Sequence, residues 1–483
     1  MSLGDAFYDR VAAADFPQAV LRFRNDRWAP AVGLGDLDDA QWIRHFGRFE
    51  PLPDNLPHPL ALRYHGHQFR VYNPDIGDGR GFLFAQLRDN SDRLLDLGTK
   101  GSGQTPYSRF GDGRLTLKGG VREVLATEML EALGVETSKT FSLIETGEAL
   151  ERGDEPSPTR SAVLVRLQHS HIRIGTFQRL AYFQETDNIR KLTDYCLEHY
   201  FPDARHCEER SDEAIQRDSE PGAAGLLRSA RNDGEAAASL LAHVAAAAAR
   251  LAASYIAAGF VHGVLNSDNI AITAESFDYG PWRWTPCWDG HFTAAYFDHA
   301  GLYSFGRQPE AIHWDLLQLA RSLGAIAEAD ALAPALEAFP DAFQAALRDS
   351  VFRRLAILPS EMERDMALVV ALEAGLAERN VEMDRFFFDW RGGARRGPSP
   401  ADAAYESERF ADFRGLIADY APAPGALDHL YWSDEAPCSM HIEEVEAIWS
   451  AIDATDDWGP LHAKIAAVRR MGEAMRGTGL SSG

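Results

Sequence analysis

The sequence predicts an α+β chain built from two lobes, and three observations carry this prediction. The chain has 483 residues, more than one ordinary hydrophobic core accommodates. Its first 180 or so residues combine strand patterns with one marked helix, and the pattern beyond them is almost entirely helical. We therefore expect a mixed α/β lobe over residues 1–180 and a mostly helical lobe over residues 181–483.

The N-terminal lobe contains a predicted hairpin, a glycine-rich loop and a helix, in that order. The apolar runs GFLFAQL and RLLDLGTK flank the turn-rich RDNSD, so two antiparallel strands should end at Lys100. Residues 101–114 then form a glycine-rich loop, and the following run KGGVREVLATEMLEALG has helical periodicity up to Gly134. The runs KTFSLIE and SAVLVRLQ predict two further strands.

The C-terminal lobe is predicted to be helical, with one insertion. The alanine-rich residues 236–258 carry His243 and Arg250, which favours a buried helix over a membrane span. Residues 205–235 are dense in charge and poor in large apolar side chains, so we expect an irregular insertion without a catalytic part. Further helices are predicted over 186–200, 311–329, 338–357, 361–379, 402–418 and 442–470.

The composition excludes several functional classes. With 72 acidic and 48 basic residues, the net charge is -24, which opposes binding to nucleic acid or to an anionic membrane. The four cysteines are widely spaced and form no CxxC pair, so neither a disulfide framework nor a zinc module is indicated. No signal-peptide pattern opens the chain. We expect a cytoplasmic protein with no nucleic-acid or membrane partner.

The stretch HGVLNSDN, residues 262–269, has the spacing of a kinase-like catalytic loop. Such loops carry His-Gly-Asp, four further residues and then an Asn that binds a metal ion, and the Asp accepts a hydroxyl proton. His262, Gly263 and Asn269 keep this spacing, but Val264 stands at the Asp position and can accept no proton. With the order of elements, the loop predicts a protein-kinase-like bilobal fold with an altered reaction centre.

Two residue pairs are candidates for metal and phosphate binding. Asn269 is followed by the strand-like IAIT, and a strand–turn–strand would bring it to Asp278 of FDYG, where both could bind Mg²⁺ through oxygen atoms. Lys100, at a strand end, could bind phosphate if Glu123 of the next helix orients it. The alternatives are plain turns for the first pair and solvated surface side chains for the second.

Repeated Gly-Asp-Gly-Arg stretches are candidates for binding an anion. They occupy Gly77–Arg80 and Gly111–Arg114, where backbone N–H groups and guanidinium groups suit phosphate oxygens. Arg166 and Arg173 flank LQHSHI and add positive charge, although both could equally be surface arginines. The histidines of YHGHQF and HSH lack a third metal ligand, so structural or substrate-contact roles are favoured for them.

Several long motifs occur in the order found in the selenoprotein O (YdiU) family, and the chain resembles that family over roughly residues 55–320. These motifs are YHGHQFRVYNPDIGDGRG, TKGSGQTPYSRFGDGR, REVLATE, HSHIRIGTFQ, HGVLNSDNIAI, FDYGP and DHAGLYSFGRQPEAIHWDL. The family is similar to protein kinases in fold but transfers AMP from ATP to Ser, Thr or Tyr hydroxyls of proteins. Its nucleotide is flipped, so that the α-phosphate faces the acceptor.

The resemblance implies a cofactor, partners and a set of site residues. Mg²⁺ or Mn²⁺ is the implied cofactor, and ATP and hydroxyl-bearing protein substrates are the implied partners. Asp268 is implied as the base that replaces the missing one, Lys100 as a phosphate ligand paired with Glu123, and Asn269 and Asp278 as the metal ligands. The remaining implied ATP-binding residues are Gly77, Gly79, Arg80, Asp112, Gly113, Arg166 and Arg173.

The sequence departs from the family pattern in a few places and leaves other functions open. Arg70 and Ser267 stand where the family usually has Gly and Thr, and no cysteine follows Cys438, so redox control through a C-terminal cysteine is not expected. An O-phosphotransferase using the same site is one alternative, against which Val264 argues. A non-catalytic nucleotide-binding scaffold is another, against which the retained metal and phosphate residues argue. A metal-dependent hydrolase ranks third.

Overall fold

An antiparallel sheet occupies the N-terminal part of the computed structural model, which describes residues 2–153, 155–202 and 223–477, the last range without the side chains of residues 223–231. Strand order is β1-β3-β6-β7-β10-β9-β2, and β8 pairs with β10, while β4–β5 and β11–β12 form two small ladders. The strands are β1 Tyr8–Arg10, β2 Val20–Arg24, β3 Leu60–Leu62, β4 Gly66–Gln68, β5 Val71–Asn73, β6 Leu83–Arg88, β7 Leu94–Lys100, β8 Leu115–Thr116, β9 Lys139–Leu150, β10 Thr159–Gln168, β11 Phe260–Val261 and β12 Arg283–Trp284.

Helices dominate the rest of the described chain, which confirms the predicted α+β class. They are α1 Asp39–Phe46, α2 Leu117–Ala132, α3 Ile174–Tyr182, α4 Thr186–Tyr200, α5 Ala223–Ala258, α6 Gln308–Leu323, α7 Ala329–Glu337, α8 Phe339–Leu355, α9 Met362–Leu376, α10 Met383–Asp389, α11 Asp402–Tyr405, α12 Ala411–Ile417, α13 Ile442–Thr455 and α14 Gly459–Arg476. The kinase-like arrangement and the lobe boundary after residue 180 remain predictions.

The elements that position the site follow the local sequence pattern. As predicted, β6 and β7 form a hairpin whose second strand ends at Lys100, and β9 and β10 form the next pair. The side chain of Thr116 accepts a hydrogen bond from the N–H of Gly119, which caps α2. Helix α2 is buried on nearly every side because the sheet covers one face and α14 the other. Arg469 of α14 donates two hydrogen bonds to Glu128 of α2, at 2.6 and 2.8 Å.

The long alanine-rich helix α5 lies in the core. Leu240, Leu241 and Val244 are completely buried, and the helix packs against α6 and α8. By length and composition alone, Asn232–Ala258 could cross a membrane, a test that the core helix of a globular protein also passes. The prediction of a buried helix over residues 236–258 is confirmed.

Several predicted boundaries are wrong, each for a local reason. Of the predicted irregular insertion at residues 205–235, residues 223–235 belong to α5, and residues 205–222 lie outside the described chain. The predicted helix 442–470 is two helices, because Asp456 adopts a left-handed conformation with φ of 51° and a proline opens α14. The predicted helix 402–418 is likewise interrupted, by a 3₁₀ turn at Glu408–Phe410.

Gly98 of β7 shows how tightly the sheet is packed, and it leads to a stability prediction. A Cβ atom added there would lie 1.9 Å from Nε2 of the buried His171. We expect Gly98→Ala to lower the free energy of unfolding by about 1–3 kcal/mol, because the ring or the strand must move. Urea unfolding followed by circular dichroism measures this change.

Gly415→Ala is the matched control for the Gly98 experiment. Gly415 lies inside α12, and no described atom comes within 4 Å of a Cβ added there. Since alanine favours a helix over glycine, this variant should gain about 0.5–1 kcal/mol. Equal effects of the two substitutions would contradict the packing argument.

Candidate active site

A polar cavity of about 710 Å³ lies between the sheet and the loop at residues 262–269. The glycine-rich loop after β7 forms its rim, and the end of β7, β10 and the start of α3 contribute its positively charged wall. Most of the predicted site residues line this one cavity: Gly77, Gly79, Arg80, Lys100, Asp112, Gly113, Arg166, Arg173, Asp268 and Asp278. Side chains far apart in the sequence are therefore brought together.

Lys100 joins two carboxylates from different parts of the chain. Its Nζ donates a hydrogen bond to Glu123 of α2 and another, of 2.6 Å, to Oδ1 of Asp278. The side chains of Lys100 and Glu123 are only 5% and 2% exposed, so this is a buried ion pair. Burial raises the pKa of Asp278, but Lys100, Arg166 and other cations outweigh it and hold that pKa well below its usual range. The ion pair expected between Lys100 and Glu123 is present.

The two arginines flanking LQHSHI differ in how their guanidinium groups are used. Arg173 donates to the backbone oxygen of Asp268 at 2.9 Å and to Oδ1 of Asp78 at 3.1 Å, and so connects the first Gly-Asp-Gly-Arg stretch to the loop at residues 262–269. Arg166 is 3.6 Å from Oδ1 of Asp278, and its buried Nε and Nη1 donate no hydrogen bond within the described residues. Because buried donors normally have acceptors, Arg166 is well suited to an anionic ligand in this cavity.

Asp268 presents a carboxylate to the cavity from a short 3₁₀ turn, Ser267–Asn269. The residue is 7% exposed, and in the part of the chain that the structure describes nothing hydrogen-bonds to its Oδ1. Burial raises the pKa of Asp268 to about 6, although the charge of Arg173 opposes the shift. At neutral pH the carboxylate is ionised and can accept a proton.

The loop around Asp268 is fixed by hydrogen bonds on both sides. At the start of the loop, the backbone N–H of His262 donates a hydrogen bond to Oε1 of Gln308 at 3.0 Å, and the ring Nε2 of His262 lies 2.9 Å from the backbone oxygen of Phe277. Asn269 donates from Nδ2 to the backbone oxygen of Val264 at 3.0 Å. The amide oxygen of Asn269 is thereby left as the acceptor end of that side chain.

The residues present fit a hard divalent cation. Asp278 and Asp268 line the cavity with carboxylate oxygens. Asn269, which follows Asp268 in the chain, is not among the residues that line the cavity, although its amide oxygen remains an acceptor while its Nδ2 donates to Val264. No group of three or more His, Cys, Asp or Glu side chains in the described residues could hold a metal by itself. A cation here would complete its shell with phosphate oxygens and water, as Mg²⁺ usually does.

The predicted strand–turn–strand between Asn269 and Asp278 is wrong: a turn at residues 271–274 and isolated bridges replace it.

Comparisons with known proteins identify the family of this chain. The family model described as "Protein adenylyltransferase SelO" matches residues 1–409. The chain belongs to the SelO family. Relatives named "Protein nucleotidyltransferase YdiU" include the protein of Synechocystis sp., 47% identical over 479 residues, and that of Trichodesmium erythraeum, 41% identical over 478 residues; each alignment covers 95% of both chains. The protein of Gloeobacter violaceus is 41% identical and covers 97% of this chain and 94% of its own. This chain is an enzyme of the nucleotidyltransferase class.

The glycine-rich segments of this SelO-family chain support each other across the cavity. Ser108 donates to the backbone oxygen of Gly79 at 2.5 Å, which fixes the second segment over the first. A Cβ added to Gly77 would lie 2.5 Å from the ring of Tyr107, so only glycine fits at this position without a shift of the tyrosine. The carboxylate of Asp112 lies 2.8 Å from Nη1 of Arg152, which places it against an arginine at the rim.

Several residues lining the cavity were missed by sequence reasoning. Asp78 lies inside the first Gly-Asp-Gly-Arg stretch and binds Arg173, so its motif offered a signal that was not used. Tyr64 packs 4.3 Å from the guanidinium of Arg173, and Arg152 binds Asp112. Their partners are distant in the sequence, and no local pattern indicates such contacts.

The histidine pairs have structural roles, as favoured from the sequence. Nδ1 of His65 lies 2.8 Å from the hydroxyl of Tyr72, and Nδ1 of His67 lies 2.7 Å from the amide of Gln178. His171 is buried beside Asp96, and burial lowers the pKa of its ring. These histidines therefore hold the hairpin β4–β5 and the sheet in place.

Arg70, where the family motif usually has glycine, occupies a position that favours glycine. Its φ is 64°, in the left-handed region that costs a larger residue energy. Its side chain donates to Oε1 of Glu310 at 2.8 Å and lies over the ring of Trp314 at 5.4 Å. These contacts with α6 offset the backbone cost, and the β4–β5 turn is retained.

Proposed function

We propose that this enzyme is a protein adenylyltransferase that moves AMP from ATP to Ser, Thr or Tyr hydroxyls of proteins in a Mg²⁺- or Mn²⁺-dependent reaction. One observation carries the proposal. Asp268 presents to the cavity a carboxylate whose buried Oδ1 accepts no hydrogen bond within the described residues, while the position at which a kinase-like loop has its base is occupied by Val264. A different base implies a different position for the reacting phosphate.

The proposed orientation of ATP follows from where the cations lie. Lys100 and Arg166 are deep in the cavity, with side chains 5% and 6% exposed, whereas Phe110 on the rim is fully exposed. We propose that the terminal phosphates bind deep, against Lys100 and Arg166, and that the nucleoside extends toward the rim. This flipped orientation presents the α-phosphate to the acceptor beside Asp268.

The proposed lobes and compartment are consistent with this arrangement. The cavity draws its lining from both halves of the chain, as a cleft between a lobe of residues 1–180 and a lobe of residues 181–483 would. A cytoplasmic location, where ATP and protein substrates coexist, accords with the four widely spaced cysteines, which indicate no disulfide framework. Both statements are part of the proposal.

The proposed reaction uses the chain's own groups as follows. The acceptor hydroxyl gives its proton to Asp268, and its oxygen forms a bond to the α-phosphorus. The bond from that phosphorus to the oxygen bridging to the β-phosphate breaks, and pyrophosphate leaves. Lys100, Arg166 and the guanidinium of Arg173 hold the charge on the departing phosphates. A divalent cation held by Asn269 and Asp278 would add charge neutralisation when bound.

Two parallel labelling reactions test the proposal. ATP labelled at the α-phosphate and ATP labelled at the γ-phosphate are each incubated with the enzyme, Mg²⁺ and a protein acceptor. We expect label on the protein from the α position only, and a loss of at least about 10²-fold with Asp278→Ala, because that carboxylate is the anionic candidate for holding the cation. Transfer from the γ position would indicate a kinase, and binding of ATP without any transfer would indicate a scaffold.

A further inference from the structure

Exposed apolar side chains surround the β4–β5 hairpin, next to the catalytic loop at residues 262–269. We call this surface the aromatic belt; it consists of Phe69, Val71, Tyr182, Phe183, Tyr296 and Phe297. All except the half-buried Phe69 are between 42% and 81% exposed. Large apolar side chains are costly to leave in water, and a contiguous group of them usually marks an interaction site.

Ring contacts join the belt's aromatic side chains into one group on each side of the hairpin. On one side, the centroids of Phe183 and Tyr182 are 5.1 Å apart, and Tyr182 stacks on Tyr72 at 5.6 Å. On the other side, Phe69 lies 5.8 Å from Phe297, which lies 5.1 Å from Tyr296. The exposed Val71 begins β5, two residues after Phe69 in the hairpin turn.

The belt adjoins the reaction centre through the hairpin backbone. The N–H of His67 donates to the hydroxyl of Ser267 at 2.8 Å, and the N–H of Phe69 donates to Oδ1 of Asn266 at 3.0 Å. At Gly66 the hairpin is so close to Asp268 that an added Cβ would lie 2.7 Å from its Oδ1. A polypeptide whose hydroxyl reaches Asp268 must therefore pass beside this hairpin.

We propose that the aromatic belt docks the acceptor polypeptide, and that it favours segments with large apolar side chains next to the modified hydroxyl. This inference rests on the proposed adenylyl transfer to proteins. Two cations beside the belt, Arg70 and Arg179, are paired with Glu310 at 2.8 Å and with Glu185 at 3.8 Å. Paired cations and a net charge of -24 oppose an anionic membrane as the occupant, whereas exposed aromatics are typical of protein-binding surfaces.

The test compares two double variants by binding and by catalysis. Tyr182→Ser/Tyr296→Ser removes one exposed aromatic from each side of the belt, and Val370→Ser/Leu430→Ser is the matched control because its residues are 60% and 77% exposed elsewhere. The probe is fluorescein-labelled β-casein, an unfolded polypeptide with hydroxyl and apolar side chains. We expect the belt variant to bind it at least about tenfold more weakly than wild type, as for loss of interface anchors, and the control within about twofold.

Catalysis and folding complete the test. The belt variant should raise the KM for casein with little change in kcat, and ATP affinity measured by calorimetry should stay within about twofold in every variant. Thermal unfolding checks that each variant folds; if the double variant does not, the single Tyr296→Ser, at an 81% exposed position, replaces it. Unchanged casein binding by a folded belt variant, or no casein binding by wild type, would overturn the proposal.

Three further outcomes separate this inference from its rivals. Sedimentation velocity detects self-association: a wild-type dimer that the belt variant converts to monomer, with casein binding unchanged, would make the belt a contact between two copies and overturn docking. Casein binding that depends on the belt, without transfer of α-label by wild type, would uphold docking and refute adenylyl transfer. Transfer of α-label to casein that is unchanged in the belt variant would uphold adenylyl transfer and refute docking.

Discussion

Asp268→Asn is expected to lower kcat for AMP transfer by about 10²- to 10⁴-fold, the usual contribution of a general base, while ATP still binds. The amide has nearly the shape of the carboxylate but cannot accept the hydroxyl proton. Initial rates with α-labelled ATP measure the loss, and calorimetry measures the retained affinity. Asp75→Asn, at an exposed position after the β4–β5 hairpin, is the matched control and should keep the wild-type rate.

The pH dependence gives a second readout of the same carboxylate. Because burial raises the pKa of Asp268 to about 6, the free enzyme holds the base protonated below that pH and ionised above it. The value of kcat/KM should therefore fall about tenfold per pH unit below pH 6 and level off above it. Asp268→Asn should remove this acidic limb. A limb that persists in the variant would assign the titration to another group.

Lys100→Met is expected to lower the free energy of unfolding by about 3–5 kcal/mol, because it leaves the carboxylate of Glu123 buried without its cation. It should also weaken ATP binding, since the ammonium is one of the buried cations that line the cavity and is a candidate ligand for the phosphates. Urea unfolding measures the stability, and calorimetry measures the affinity. Glu123 is 2% exposed, so water cannot replace the missing partner without local opening.

Two further variants show whether the pair causes that loss. Lys464→Met removes another buried lysine, but its partner Glu444 is 43% exposed and regains water, so the loss should be below about 1–2 kcal/mol. Lys100→Met/Glu123→Leu removes both charges and should recover much of the stability lost in the single variant, without recovering ATP binding. Equal stabilities of Lys100→Met and Lys464→Met would contradict this account.

Local sequence patterns were sufficient to predict the elements that carry the site residues. Alternating apolar residues and a turn-rich interruption placed the hairpin that ends at Lys100, and helical periodicity with a following glycine placed α2 to within two residues at its end. Residue spacing also indicated the loop that carries Asp268. In each case the residues that support the prediction lie within about the length of one helix or strand of each other in the sequence.

Contacts between distant segments could not be predicted in the same way. Lys100 meets Asp278 across 178 residues, and Arg173 meets Asp78 across 95, so each contact depends on the assembled fold. The helical start of α5 at Ala223 was misjudged because a charged composition suggested solvent exposure rather than structure. The hairpin β4–β5 was missed as well, since its three-residue strands are too short for a periodic pattern.

The packing of α14 against α2 has a consequence for the order in which the enzyme matures. Helix α2 carries Glu123, and Arg469 holds it through Glu128 from a helix that begins at Gly459, beyond the part of the chain matched by the family model. A ribosome makes α2 before α14, because α2 precedes α14 in the chain. During translation the nascent segment that carries α2 lacks this contact, so the lysine–glutamate pair gains its full support only after α14 has been synthesised.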